Sequence, residues 1–409
     1  MSERKVPRFG LPVAGLLIIS IVYIVYAWDR IVFSVELVEI SKSFGFSLSS
    51  AGFLSTVFVL GVALTAIPAG IIVMRYGTRV SLVVGAVIFS LATGYTAIGH
   101  GLGDLTVARI VSGVGEGLYN VALFSFLGGL SERYRGTLTG VAASLFGVGL
   151  FLGPLVVAQI LGFSGKWETA FWVFAAVGLV GAILIRLVLP RHGVNTDETT
   201  GPITLARLRS VMMGKNLAVA AVIAINGFGL YSFLGLYETF LRTAHQMNLA
   251  SASVVFSLFG VGGIVGGSPA GYLADRIGRK TYLLLASIGC AIFAVACFTA
   301  PPTPWLLATL CFVFGFGTNS IYTNCYALVQ DQVGRSEIPL GIGMLATIYF
   351  LIGSISGYLL VQVRDAFGWA QGSVVAYGLP YAVAALIVVG LMLSDRRRAD
   401  RRTNGRTLS

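Results

Sequence analysis

Charge is what this sequence has least of. Of its 409 residues only 11% are charged, while 56% are hydrophobic; soluble domains carry charge on about a quarter of their residues. A water-soluble globule is excluded. Cysteine is scarce too: Cys290, Cys297, Cys311 and Cys325 all fall inside apolar runs, so neither a disulfide framework nor zinc-site spacing is present, and small buried packing is their expected use. The three histidines, His100, His192 and His245, stand at run ends or in loops and make no metal or triad spacing. Glycine pairs such as GVGGIVGG at 260–267 lack the preceding strand that a nucleotide-binding loop requires. No metal, cofactor or enzyme chemistry is expected.

What is present is hydrophobic length. Apolar stretches near the ~20 residues that span hydrocarbon recur along the whole chain, where barrel strands would alternate over ~10 residues. Twelve are expected, at 11–35, 48–74, 79–100, 104–131, 136–161, 167–189, 216–242, 250–275, 280–299, 304–330, 337–362 and 371–394. The expected fold class is an all-α membrane protein, with a six-helix bundle in 1–190, a polar linker at 191–215, a second six-helix bundle in 216–394 and a basic tail at 395–409.

Orientation follows from the bases, which gather on the cytoplasmic side. With both termini inside, inner Lys and Arg outnumber outer ones by 22 to 4, the outer ones being Lys42, Lys166, Arg242 and Arg364. The formal charge of +11 therefore reports topology and attraction to anionic lipid, and nucleic acid is not an expected partner. The tail DRRRADRR at 395–402 reads as a stop-transfer and headgroup anchor. SERKVPR followed by an apolar run and Val25, Tyr26 and Ala27 loosely resembles a secretory signal. The run is long for a signal core, and its removal would leave eleven helices and reverse the basic side, so it is read as the first membrane helix.

The halves are duplicates. A shift of 201 lays IPAGIIVMRYGTRVSL (67–82) over SPAGYLADRIGRKTYL (268–283), and a shift of 200 lays Gly115 and Gly117 over Gly315 and Gly317. Parallel repeats with a central linker are a transporter architecture with a site between two rocking bundles. GYLADRIGRK at 271–280, with RIVSGVGEG at 109–117, resembles the loop and helix-4 signatures of the major facilitator superfamily. That resemblance implies solute transport by alternating access, a membrane protein working as a monomer, and gating by Arg75, Arg79, Arg133, Arg135, Asp275, Arg276, Arg279 and Lys280. The first-half loop departs from the pattern, with Met74 where Asp275 stands in the repeat. The expectation is that the inward-closed state is held less firmly on that side.

Asp29 and Arg30 end the first apolar run, about 25 Å of helix rise beyond Pro12. A charge inside a spanning helix costs ~2.5–3.5 kcal/mol on insertion scales, so such groups face a cavity or a partner. Arg109 and Glu116 lie seven apart on one face of helix 4, sharing a stripe with Ser112, Gly113, Tyr119 and Asn120. Tyr23, Tyr26 and Arg30 give helix 1 a similar face. The second half carries Leu230, Tyr231 and Phe316 at the positions taken as equivalent to Asp29, Arg30 and Glu116, which favours specialised chemistry in the first bundle. A purely structural ion network, or snorkelling at the outer interface, is the competing explanation. Asn226, Tyr231, Asn319 and Asn324 are candidate neutral wall residues, with interhelical hydrogen bonding as their alternative.

An Arg guanidinium meets a carboxylate with two parallel bonds, and burial disfavours the charged form of a carboxyl, which can then take up a proton. The set resembles, more narrowly, the proton-coupled organic anion symporters. That resemblance implies Arg30 as substrate clamp, with Tyr23, Tyr26, Tyr119 and Asn120 beside it, and Asp29 and Glu116, assisted by Arg109, as the proton-coupling set. All of this requires a wettable chamber shared by Asp29, Arg30 and Glu116. An Asp-Arg pair with GVGE also resembles spinster-like lipid exporters, and GLFLGP at 149–154 resembles a proton-antiporter motif. Export of an amphipathic or drug-like compound stays open, as does a non-transporting membrane sensor.

Overall fold

The computed structural model describes residues 13–36, 40, 43–46, 48–131, 134–189, 211, 213–247 and 249–406. Among them lie twelve long helices and no strand: α1 (Val13–Val35), α2 (Leu48–Tyr76), α3 (Thr78–Thr96), α4 (Leu102–Leu130), α5 (Arg135–Ser164), α6 (Glu168–Val188), α7 (Lys215–Thr243), α8 (Leu249–Ile277), α9 (Arg279–Thr299), α10 (Pro304–Gln332), α11 (Ile338–Ser373) and α12 (Leu379–Arg406). A bilayer offers backbone groups no water, so apolar segments of this length satisfy themselves as helices. Leu64, Leu91, Leu187, Leu285 and Leu386 project their side chains outward, as a lipid-facing surface requires.

The turns between paired helices follow the duplication. Gly77 separates α2 from α3 with φ 81°, and its repeat mate Gly278 separates α8 from α9 with φ 94°. Only glycine takes that backbone without strain, which accounts for a glycine at this point of both loop motifs. Pro68 and Pro269 sit at matching points inside α2 and α8. Pro304 opens α10, where a missing N–H costs nothing.

Within the first half α4 packs on α2 and α3, and α1 on α5 and α6; within the second α10 packs on α8 and α9, and α11 on α7. Two seams join the halves, α5 against α8 and α2 against α11. They are related by the repeat. A Cβ on Gly140 of α5 would strike the Gly267 carbonyl of α8, and one on Gly343 of α11 would strike the Ala66 carbonyl of α2; Ala66 and Gly267 are themselves 201 apart. Small residues at both points let the backbones touch.

The same test corrects the register read for helix 4. Gly113 abuts Phe58 as Gly315 abuts Phe259, and Gly115 abuts Gly85 and Phe89 as Gly317 abuts Ala286 and Cys290. The repeat here is 202, not 200, so Glu116 corresponds to Thr318 rather than Phe316. A G-x-G-x-G run matches itself after a slip of two, which is why sequence alone misplaced it.

Two boundaries also move. The chain breaks not near 362 but at Gly368 (φ 71°, ψ 177°), inside the α11 range, and runs on through a π-helical turn, Val374–Gly378, into α12. Arg364, expected in an outer loop, is therefore helical, paired with Asp365 at 2.6 Å. The basic tail does not leave the helix at 395 either, because α12 continues to Arg406. The linker at 191–210 lies outside the described residues, as does Lys42.

Candidate solute site

A cavity with about 620 Å³ of empty space, open solvent at its mouth included, lies between the halves. Helices α1, α4 and α5 supply Tyr23, Tyr26, Arg30, Asn120 and Phe146; α7, α8, α10 and α11 supply Tyr231, Phe259, Thr318, Asn319, Tyr322, Tyr349 and Phe350. Its floor is closed by cross-bundle contacts. Ser144 donates to the Ile264 carbonyl at 2.6 Å, Gln330 Nε2 to the Phe124 carbonyl at 3.0 Å, and Thr137 N and Oγ1 to Asp275 at 3.1 and 2.9 Å. All lie at the floor or beyond it, toward the face where α1 begins.

Arg30 is the cation on the wall. Its Nε and Nη2 both donate to Glu116 Oε2, at 3.1 and 2.7 Å, Nη2 also to the Tyr26 hydroxyl at 2.7 Å and Nη1 to the Tyr231 hydroxyl at 3.0 Å. Arg30 and Tyr231 are repeat mates, 201 apart, so the two equivalent positions meet across the interface. The guanidinium carbon stands 5.0–5.4 Å from the ring centres of Tyr26, Phe58, Phe146 and Phe350, a cage that favours a cation. Glu116 is fully buried behind it, and its second oxygen, Oε1, has no hydrogen-bond partner among the described residues.

Two more buried charges, Asp29 and Arg109, lie off the wall. Asp29 accepts from Ser112 Oγ at 2.7 Å and from the Thr93 hydroxyl. The Arg109 guanidinium lies 4.0 Å from the Phe58 ring centre and 4.7 Å from that of Phe33. Phe58 thus stands between the two arginines. Neither Asp29, Glu116 nor Arg109 lines the cavity, which corrects the chamber expectation: of the four charges only Arg30 meets the cavity, on the face of α1 that it shares with Tyr23 and Tyr26, while the adjacent Asp29 is turned about 100° away from it.

Three other expected wall residues are also displaced. Tyr119 stacks beneath Tyr23 and Tyr26, at 6.3 and 5.9 Å, and its hydroxyl donates to the Ile19 carbonyl at 3.3 Å. Asn226 donates to the Thr318 carbonyl at 3.0 Å and accepts from Tyr381 at 3.2 Å, and Asn324 donates to the Ser320 carbonyl at 2.9 Å. All three bond within their own bundle; only Asn226 takes the interhelical bond given as its alternative, while Asn324 bonds inside its own helix and leaves Oδ1 without a partner among the described residues. Tyr23, Tyr26, Asn120, Tyr231 and Asn319 are on the wall as expected. Phe146, Thr318, Tyr322, Tyr349 and Phe350 went unnoticed, since an aromatic in an apolar helix offers no contrast; the corrected register would have pointed to Thr318 and Tyr322, opposite Glu116 and Asn120.

Among the gate candidates, Asp275 bridges the halves through Thr137. It holds Arg279 Nη2 at 2.7 Å, and Arg279 also pairs with Asp331. Lys280 pairs with Asp395, Arg79 donates to the Arg186 carbonyl, and Arg75 and Arg276 lie against Tyr76 and Tyr272. Arg133 lies outside the described residues, as does the side chain of Arg135. Met74 occupies the place of an acid without leaving a gap: it packs with Leu340 and Val211 in a buried apolar cluster. Leu340 stands where Thr137 stands in the repeat, so one seam has a polar latch and the other an apolar one.

The family profile described as Major Facilitator Superfamily matches residues 19–358. The chain belongs to the major facilitator superfamily. Its fold is the major facilitator fold, twelve transmembrane helices in two pseudo-symmetric six-helix bundles, and the protein is an integral membrane transporter, not an enzyme. A probable 4-methylmuconolactone transporter of Cupriavidus pinatubonensis is 25% identical over 375 residues, 83% of this chain and 85% of that one. The 3-(3-hydroxy-phenyl)propionate transporter of Escherichia coli is 26% identical over 366 residues, 88% of each chain. The hexuronate transporter of Bacillus subtilis is 24% identical, covering 88% of this chain and 90% of that one. Among solved structures, the human organic anion transporter MFSD10 superposes with a TM-score of 0.78 at 12% identity, covering 91% of this chain and 99% of that one. The E. coli fucose:proton symporter FucP gives 0.75 at 15%, covering 92% and 98%. These two likenesses speak to the fold.

Proposed function

We propose that this superfamily member takes up a small organic anion, a carboxylate, together with a proton, and that Arg30 and Glu116 couple the two. The observation that carries the reading is that one guanidinium both lines the cavity and is held from behind by a fully buried carboxylate. With Glu116 ionised the pair is neutral. An anion arriving at Arg30 would give the buried site a net negative charge, which a low-dielectric surrounding penalises heavily. Protonating Glu116 restores neutrality and releases Arg30 Nε and Nη2 to the substrate carboxylate. Each ligand therefore raises affinity for the other by the same factor. Symport also avoids driving net negative charge against an inside-negative potential, ~2.3 kcal/mol per charge per 100 mV.

The relatives named for aromatic, lactone and sugar-acid substrates support an organic anion as cargo. The remaining assignments of this reading are a monomer in the cytoplasmic inner membrane, both termini cytoplasmic, with bundles at 1–190 and 216–394 joined by the linker at 191–215. On this orientation the floor contacts face the cytoplasm. An exporter of amphipathic compounds could use the same cavity, but it leaves the Arg30–Glu116 pair without a task.

Proteoliposomes test this. Added carboxylate is expected to drive protons inward, and Arg30→Ala to abolish both the proton signal and substrate binding. Outward proton-driven efflux of amphiphiles, with no response to any carboxylate, would instead establish the exporter.

A further inference from the structure

The wall composition narrows the cargo. Eight of the nineteen residues lining the cavity carry aromatic rings, and Arg30 is the one cation among them. The amide and threonine groups of the wall are in part turned to protein partners, with Asn120 Oδ1 left unpartnered among the described residues. Asn319 donates to the Gly263 carbonyl, Thr318 Oγ1 to the Gly315 carbonyl at 3.1 Å, Asn120 Nδ2 to the Tyr23 hydroxyl at 3.5 Å, and the Tyr26 and Tyr231 hydroxyls accept from Arg30. A polyhydroxylated sugar acid entering this space would meet ring faces over much of its surface, with the tyrosine hydroxyls and Asn120 Oδ1 as its polar partners, and each of its hydroxyls that lost water against a ring face would do so at a cost. A second carboxylate would find no second cation.

Flat rings fare differently. Phe146 of the first bundle and Tyr322, Tyr349 and Phe350 of the second face one space, with Tyr322 tilted at 58° against Tyr349, ring centres 5.0 Å apart, and Phe350 edge-on to Tyr349 at 5.1 Å. Aromatic pairs gain from offset or edge-on contact beyond the area they bury. Both bundles supply rings, so a ring held between them would touch each half during rocking. Building on the carboxylate reading above, we infer that the preferred cargo is an aromatic monocarboxylate, its acid on Arg30 and its ring among Phe146, Tyr322, Tyr349 and Phe350. Tyr322 and Phe350 are the specificity-determining residues.

The test uses the full chain in proteoliposomes under an inward proton gradient, with 3-phenylpropionate, 3-cyclohexylpropionate, glucuronate and succinate as competing probes. Phenylpropionate is expected to be preferred over its saturated analogue by about three- to tenfold, the range of a ring contact, and over glucuronate and succinate by more. Tyr322→Leu and Phe350→Leu are expected to lower uptake of phenylpropionate by a larger factor than that of cyclohexylpropionate, erasing the phenyl-over-cyclohexyl preference, and Tyr322→Phe to retain that preference. Ligand-induced shifts in Tm on each purified variant report binding in folded protein. Equal or better uptake of glucuronate or succinate, still abolished by Arg30→Ala, overturns the aromatic inference and leaves the carboxylate reading standing. Indifference to every acid, or uptake unaffected by Arg30→Ala, overturns both.

Discussion

Arg30 carries two obligations at once, to a buried carboxylate and to the cavity, and single substitutions separate them. Arg30→Lys keeps the charge but gives up the planar fork that meets Glu116, Tyr26 and Tyr231 together; it is expected to raise KM for a carboxylate at least tenfold, read from initial uptake rates. Asp29 has the opposite character. Its partners are Ser112 and Thr93, inside the first bundle, contacts that tie α1 to α3 and α4. Ser112→Ala removes one donor from a buried carboxylate and is expected to cost about 1–3 kcal/mol of stability, seen as a lower Tm in detergent with the pH dependence of uptake unchanged. A shifted pH profile at unchanged Tm would return Asp29 to the coupling machinery. Sequence marked the charged residues well because a charge in an apolar run stands out. It treated Asp29 and Arg30 alike as chamber residues, although helical spacing puts Arg30 on the face of Tyr23 and Tyr26, which line the wall, and turns Asp29 about 100° away. Asn226, Asn324 and Tyr119 misled for a different reason: a polar atom in a membrane helix is satisfied equally well by a backbone carbonyl next door.

At the scale of helices, the seams rest on contacts too close for a side chain. Gly343 of α11 lies against the Ala66 carbonyl and Gly140 of α5 against the Gly267 carbonyl. Gly343→Val or Gly140→Val is expected to wedge its seam, shifting the resting population toward opening on the floor side, which distance measurements between spin labels on the ends of α2 and α11 would register. An unchanged distance distribution would mean the seams yield elsewhere. Helix number and most boundaries were readable from hydrophobic length alone. The end of the eleventh span was not, because Gly368 ends it by a backbone turn within apolar sequence, and the end of the twelfth was not, because charged residues at 395–402 remain helical. The duplication was visible in the loop motif, yet the helix-4 register slipped by two where glycines recur every second residue.

The whole molecule closes its floor with unlike latches on its two seams. Asp275 accepts from the first turn of α5, at the Thr137 amide and hydroxyl, where an acid also suits the positive end of the helix. On the other seam Met74 and Leu340 share an apolar cluster. Loss of the acid was expected to leave that side looser; Met74 and Leu340 give it an apolar contact where the other seam has a polar one. Asp275→Asn is therefore expected to speed opening of the floor, while Met74→Asp inserts a charge among apolar groups and gains only what the α11 N-terminus offers. Accessibility of a cysteine introduced at the floor, followed with a membrane-impermeant thiol reagent, ranks the two. Slower opening in Met74→Asp than in the parent would restore the polar-latch view of that seam.

The central claim is that anion and proton meet through Arg30 and Glu116, and Glu116→Gln examines it most directly. In proteoliposomes this variant, unable to give up a proton, is expected to exchange labelled carboxylate across the membrane at near-parent rates yet fail to accumulate it under a proton gradient, with exchange indifferent to pH. Accumulation at the parent's level with the parent's pH dependence would contradict the account.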